Sequence, residues 1–385
     1  MKSLAALILV VAAAGLLAGD GPVGWQELPN TALKKVAPPN NCGGIKYDFA
    51  DHCHSVIAAW SSAVADTKRD RLIIWGGGHS DYYGNEVYAL DLNSTPARMS
   101  RLTDPSPWDF EASNQINKDG SPVSRHTYNG IVYLPTQDRM FSFEGGTAPN
   151  GSGSGFTFTL DLSKTPPVWQ SMDPTKGYDA TNKGKGGSVC GSICAYDPNT
   201  DSVLCNWGNL FMFLRYTPST NTWTKVTAYC ESVVPGASTA VVDPKRKLMI
   251  FIGEAGKPKV MAVDISAKSN FKVQDWSSQV TGCDALAGVN YPGLAYDPVL
   301  DRIVGWANSG DNVYVFDPET KSCETLTYPN GPKTPPGSSV GTFGHFSYFP
   351  ALKAYVVVNN AGQNAYMLRL PATLPAKKAV ETAKK

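Results

Sequence analysis

The sequence predicts an all-β fold, a six-bladed β-propeller of four-stranded blades, and three observations carry that prediction. A strand–turn–strand pattern recurs six times. A third strand, often with a fourth, follows each copy. The last unit runs out one strand short, and a strand that can complete it stands near the N-terminus. Self-similarity at such a spacing marks a repeat architecture, in which each unit buries its apolar faces against its neighbours.

The copies read AVADTKRDRLIIWGG from Ala63, VYLPTQDRMFSFEGG from Val132, CAYDPNTDSVLCNWG from Cys194, AVVDPKRKLMIFIGE from Ala240, LAYDPVLDRIVGWAN from Leu294 and FSYFPALKAYVVVNN from Phe346. Each is an apolar strand, a polar turn usually carrying Pro or Asp, and a second apolar strand. The turn anchors Asp66, Leu134, Asp197, Asp243, Asp297 and Phe349 are separated by 68, 63, 46, 54 and 52 residues. Blades need about 40–50 residues, so the two long first intervals predict extended loops in the first two units.

The third strands are expected over Glu86–Leu92, Phe156–Leu162, Phe211–Tyr216, Val260–Ile265, Val313–Pro318 and Ala365–Leu370, where β-branched and aromatic residues alternate at period two. Trp169, Trp223 and Trp276 mark fourth strands. The last unit ends at Leu370-Pro371, and Gly24–Pro29 supplies its missing strand. That closure leaves no free propeller edge. Seven blades are the alternative, but an extra blade could lie only in Pro29–Cys53 or Asp104–Val123, and neither stretch shows paired strands. One domain is expected, over residues 20–371.

Residues 1–19 read as a secretory signal peptide. Met1-Lys2-Ser3 forms a positive start, and Leu4 to Ala18 is an apolar run. The run is shorter than the ~20 residues of a spanning helix. A secreted or periplasmic location follows, and eight cysteines suit an oxidising compartment. Cys194 and Cys205 are symmetric about the turn Pro198–Asp201 and should face each other across a hairpin. Cys42 and Cys53 are the second candidate pair. No CxxC pair is present, which favours bridges over thiolate metal ligation. A net charge of +1 points to neither nucleic acid nor a membrane surface as partner. Residues 372–385 form a basic, solvated tail, and a monomer is expected.

The double glycines Gly76-Gly77 and Gly145-Gly146 that end second strands, the strand from Tyr88 to Asp91 and the Trp that follows in several units have counterparts in a known group. In these features the chain resembles the kelch-type β-propellers, which include the galactose oxidase central domain. The resemblance spans roughly Trp25 to Pro371. Units three to six lack the paired glycines, which makes this a divergent member. The resemblance implies the fold; propellers of this kind serve as enzymes, lectins and scaffolds.

In a four-stranded blade the connection from second to third strand shares a face with the lead-in to the next blade. All five histidines, His52, His54, His79, His126 and His345, fall in such segments. Histidine titrates near neutrality and ligates metals, so this clustering marks one face as the candidate site. The segment His79-Ser80-Asp81-Tyr82-Tyr83 follows three glycines and brings acid–base and stacking groups together. Arg125-His126-x-Tyr128 leads into the second blade and should lie beside it. Tyr128 shares its offset from the turn anchor with Trp60 and Tyr291, a position where a large aromatic can equally pack between blades. His52-x-His54 would share one face of a strand and, with His79, could hold a divalent ion such as Zn, Mn, Ca or Cu; no cofactor is required by the reading that follows.

No pair of acids stands in the fixed relation glycosidases need, and no Gly-x-Ser-x-Gly elbow appears. His, Tyr and Arg suit β-elimination at a uronic acid better. Arg125 would neutralise the carboxylate, His126 or His79 would take the C5 proton, and Tyr82, Tyr83 or Tyr128 would protonate the leaving oxygen. Asp81, Tyr82, Asn85, Tyr291 and His345 are expected to contact the polysaccharide or oligosaccharide. Some secreted polysaccharide lyases are propellers with these residue types, a likeness of architecture rather than of motif. The alternative is a non-catalytic carbohydrate- or protein-binding propeller. A copper radical oxidase ranks behind both: it would need two Tyr and two His at copper, one Tyr cross-linked to Cys, and a further C-terminal ligand domain. Cys53 is the only Cys among the histidine-bearing segments.

Overall fold

The computed structural model describes residues 21–107, 115–153, 156–172, 191–207, 212–226, 236–267, 269–335 and 340–374. Six four-stranded antiparallel sheets form a ring of blades, as the repeat predicts. The first strands, Ser62–Asp66, Ile131–Leu134, Ile193–Asp197, Thr239–Asp243, Gly293–Asp297 and Phe346–Phe349, surround a central channel of 590 Å³. The anchored turns put Thr67, Pro135, Pro198, Pro244, Pro298 and Pro350 round one end of it.

Ring closure follows the expected register. Gly24–Leu28 pairs antiparallel with Ala365–Arg369, from Gly24↔Arg369 to Leu28↔Ala365, as the outer strand of blade six. Among the described residues, the two stretches considered for a seventh blade hold none. Residues 29–53 form short helical turns, including Leu33–Val36, Cys42–Gly44 and Phe49–His52. The described part of residues 104–123 contributes one isolated bridge, Ile116↔Pro122.

Apolar side chains interlock between neighbouring blades. Val132, Phe141 and Phe143 of blade two meet Cys205, Leu214 and Trp223 of blade three. Trp223 also donates its indole N–H to Thr157 Oγ1 of blade two at 3.1 Å. At Trp223 a large ring with one polar atom thus suits a blade-to-blade contact that has one polar partner. On the turn face, ion pairs add to the packing. Arg69 bonds both Asp66 of its own turn (3.1 Å) and Asp138 of blade two (2.6 Å). Arg246 joins Asp243 and Asp301 of blades four and five, both at 2.9 Å. These guanidinium contacts hold the carboxyls of Asp138 and Asp301 well below the usual range.

Cys194 and Cys205 are register partners and are bridged. The Cys42–Cys53 expectation is corrected: both are free thiols, and the buried Sγ of Cys53 donates to the Ala50 carbonyl at 3.3 Å. The second bridge joins Cys283, beside the helical turn Asp284–Ala287, to Cys323 on the outer strand of blade five. Among the described residues no helix is long and apolar enough to cross a membrane. The expected signal peptide lies outside the described residues, as does the tail beyond residue 374.

Candidate functional site

Gly76, Gly77 and Gly78 follow the second strand of blade one. Here the chain passes too close to its neighbours for any side chain. A Cβ at Gly77 would stand 2.9 Å from the Ser55 carbonyl oxygen, and one at Gly78 would stand 2.4 Å from the Ser124 backbone. Gly77 N–H donates to Arg125 O at 3.1 Å. This approach presses the blade-one loop onto the lead-in of blade two and brings His79 and Asp81 to His126.

His126 lies at the centre. Its Nε2 is 2.9 Å from Asp81 Oδ2. An ionised carboxylate only accepts, so Nε2 carries the hydrogen and Nδ1 of the neutral ring offers a lone pair. That nitrogen is 3.5 Å from the Tyr128 hydroxyl, a long contact. The His79 ring stacks on His126 at 5.0 Å and 16°. Trp60 covers His126 at 5.0 Å and 40°, and Tyr128 meets it edge-on at 5.8 Å. His126 is 4% exposed. Burial lowers its pKa from the ordinary histidine value, with Asp81 pulling it back up and His79 pushing it down. A neutral imidazole at neutral pH, oriented by a carboxylate and facing a phenol, can take and return that phenol's proton.

His79 has the backbone conformation φ 116°, which L-residues seldom adopt. Its ring is seated against the small hairpin formed by Gly146–Thr147 and Ser152–Gly153. Gly151, at φ +75°, is what makes room: a Cβ there would come within 1.8 Å of His79 Nε2.

The fold thus unites His79, Asp81, His126 and Tyr128. It separates other residues from them. Arg125 does not reach a substrate face: it is 0% exposed, and its guanidinium donates to the carbonyls of Val123 (3.3 Å), Glu144 (3.3 Å) and Gln115 (3.4 Å) beside the rings of Trp75 and Phe158. Burial lowers its pKa to about 9, still above neutrality. It braces the loops beneath the site. Tyr82 is a core residue whose hydroxyl donates to buried Glu86 at 2.5 Å. Asn85 is also buried, and its amide ties Ser106, Ser121 and Pro122 together. Neither presents its side chain to a ligand, because the loop folds inward once the glycines turn it.

Tyr83 stacks on Tyr47 at 5.2 Å, and Tyr47 stacks on His52 at 5.4 Å. Tyr291, half-buried, stacks on Phe343 at 4.3 Å between blades five and six. His345 is wholly enclosed: its Nδ1–H donates to Thr342 O at 3.0 Å, and burial lowers its pKa to about 4. It is no surface contact for a polysaccharide. His52 ends the helical turn Phe49–His52, and His54 caps the next, Ser55–Ala58. The strand geometry that would align them as a metal pair is therefore absent. Among the described residues no group of three or more His, Cys, Asp or Glu is arranged to hold a metal ion.

Sequence reasoning missed Trp60 as part of the site, although its offset from the turn anchor matches that of Tyr128. Gly151 lies in the loop over residues 144–155 that the blade geometry places on this face, but no sequence pattern singles it out as the seat of His79.

No protein-family model matches the chain, and no curated protein matches its sequence. Solved structures match its fold. A structural-genomics protein of unknown function from Bacteroides thetaiotaomicron VPI-5482 is 10% identical with a TM-score of 0.52, over 90% of this chain and 75% of that one. A fungal alcohol oxidase of the AA5 family, in complex with copper, is 13% identical with a TM-score of 0.44, over 81% of this chain and 62% of that one. YjhT is 10% identical with a TM-score of 0.49, over 80% of this chain and 92% of that one. At these identities the likeness concerns the fold alone, and the chain is a six-bladed β-propeller.

Proposed function

We propose that this chain is a secreted, carbohydrate-active propeller that performs β-elimination on a uronic-acid-containing glycan. The observation that carries the reading is the Asp81–His126–Tyr128 sequence of contacts, with His79 stacked on its central ring. Asp81 fixes the tautomer of His126, and Nδ1 draws the proton from the Tyr128 hydroxyl. The Tyr128 oxygen then takes the C5 proton, and the electron pair left behind is delocalised into the substrate carboxylate. Tyr128 passes that proton to the bridging oxygen as the C4–O bond breaks and the C4–C5 double bond forms, and His126 returns its own. His79, stacked on His126, contacts the substrate carboxylate in place of the enclosed Arg125. Two disulfides among the described residues are compatible with an extracellular protein.

One observation favours the second reading, a non-catalytic glycan- or protein-binding propeller: the enclosure of Arg125 withdraws its guanidinium from a substrate carboxylate. The deciding experiment incubates the purified chain with a panel of uronic-acid polysaccharides and follows the ultraviolet absorbance of the unsaturated product. A rise that is lost in both Tyr128→Phe and His126→Ala supports the lyase. A flat trace across the panel overturns it.

A further inference from the structure

Four lead-in corners share one backbone solution. Trp60, Tyr128, Tyr291 and Phe343 each precede a channel-lining strand, each is aromatic, and their φ values are 44°, 46°, 47° and 48°. A bulky residue in this left-handed region is strained by about 1–3 kcal/mol. The corners are also linked blade to blade. Tyr128 N–H donates to Trp60 O at 2.7 Å, and Phe343 N–H donates to Tyr291 O at 3.1 Å.

In blades five and six the linked pair closes on itself, with the Tyr291 and Phe343 rings stacked at 4.3 Å. The equivalent pair in blades one and two is held open. The His126 ring stands against both, 5.0 Å from Trp60 and 5.8 Å from Tyr128. Mutual stacking therefore explains the aromatic corners in blades five and six and not those in blades one and two. The half-buried indole of Trp60 instead forms a wall over His126, beside the phenol of Tyr128.

We infer that Trp60 is a substrate-binding, specificity-determining residue of this site, stacking its indole on the apolar C–H face of the sugar ring presented to Tyr128. The inference rests on the glycan-acting reading of the site and adds to it the residue that would position the sugar. An indole gives a large rigid surface at small entropic cost, and a pyranose ring has a C–H face that matches it. Asp81, His79 and Tyr128 supply the polar contacts, so Trp60 contributes attraction without chemistry.

The test compares wild type with Trp60→Ala and Trp60→Phe, using uronic-acid oligosaccharides as probes in titration calorimetry alongside turnover. Loss of one stacking face should weaken binding about tenfold in Trp60→Ala, with most of the affinity kept in Trp60→Phe. KM should rise while kcat stays within about twofold, the signature of binding shared by ground and transition states. Circular dichroism and thermal unfolding establish that each variant is folded. A folded Trp60→Ala that binds as wild type overturns the inference. If wild type binds without turnover, the lyase reading fails while the affinity comparison still judges Trp60. If wild type binds no uronic-acid oligosaccharide, both fall together.

Discussion

His345 makes the fold acid-sensitive in a way that can be isolated. Its imidazole is enclosed, and burial lowers its pKa to about 4 from an ordinary 6.5. On acidification the unfolded chain takes up this proton first, so the contribution is full above about pH 6.5 and is lost progressively down to about pH 4. Each pH unit in that window is worth about 1.4 kcal/mol, so the loss amounts to about 3 kcal/mol. The informative variant is His345→Asn. The Nδ1–H of His345 donates to Thr342 O, and the Asn amide can keep a donor there while being unable to titrate. Urea unfolding of both proteins at neutral pH and near pH 4 gives the comparison. The variant is less stable at neutral pH because its smaller side chain leaves a cavity, but wild type should lose about 3 kcal/mol more on acidification. Carboxylate titrations affect both proteins alike. Parallel losses would refute the claim that His345 is buried as a neutral ring.

Two further perturbations probe the site itself. Asp81→Asn removes the charge that raises the His126 pKa, so His126 should titrate lower; proton NMR of the five histidines reads this directly, and an unchanged or raised value would break the proposed pair. Gly151→Ala puts a methyl where His79 Nε2 lies and forces an unfavourable φ, so it should displace His79, cost about 1–2 kcal/mol in thermal unfolding and abolish the effect of His79 on the His126 titration.

The candidate site was partly legible in the sequence. That His79 and Asp81 would stand beside His126 and Tyr128 followed from the propeller rule that a blade's loop neighbours the next blade's lead-in, and the contacts bear this out. Burial within those segments was not legible. Tyr82 and Tyr83 are adjacent and chemically alike, yet Tyr82 is enclosed with Glu86 while Tyr83 stacks on half-buried Tyr47. In irregular segments no fixed period assigns a side chain to core or solvent.

The sequence by itself determined the blade number, the strand pairing, the ring closure at Gly24–Leu28 and the Cys194–Cys205 bridge. The strands, their number and the hairpin bridge depend on period-two alternation and short turns, which are local properties of the chain, and the closure was legible because the last unit lacks a fourth strand. Only the tertiary structure decided which polar groups face a ligand. Arg125 and His126 are neighbours in sequence, but Arg125 points down among the carbonyls of Val123, Glu144 and Gln115, while His126 points to Asp81. His126 and His345 each precede a first strand, but the Gly344 N–H is bonded to Ser62 of blade one, and His345 is sealed beneath that contact's own turn. Such outcomes depend on what neighbouring blades press against a segment, and residues distant in sequence set that pressure.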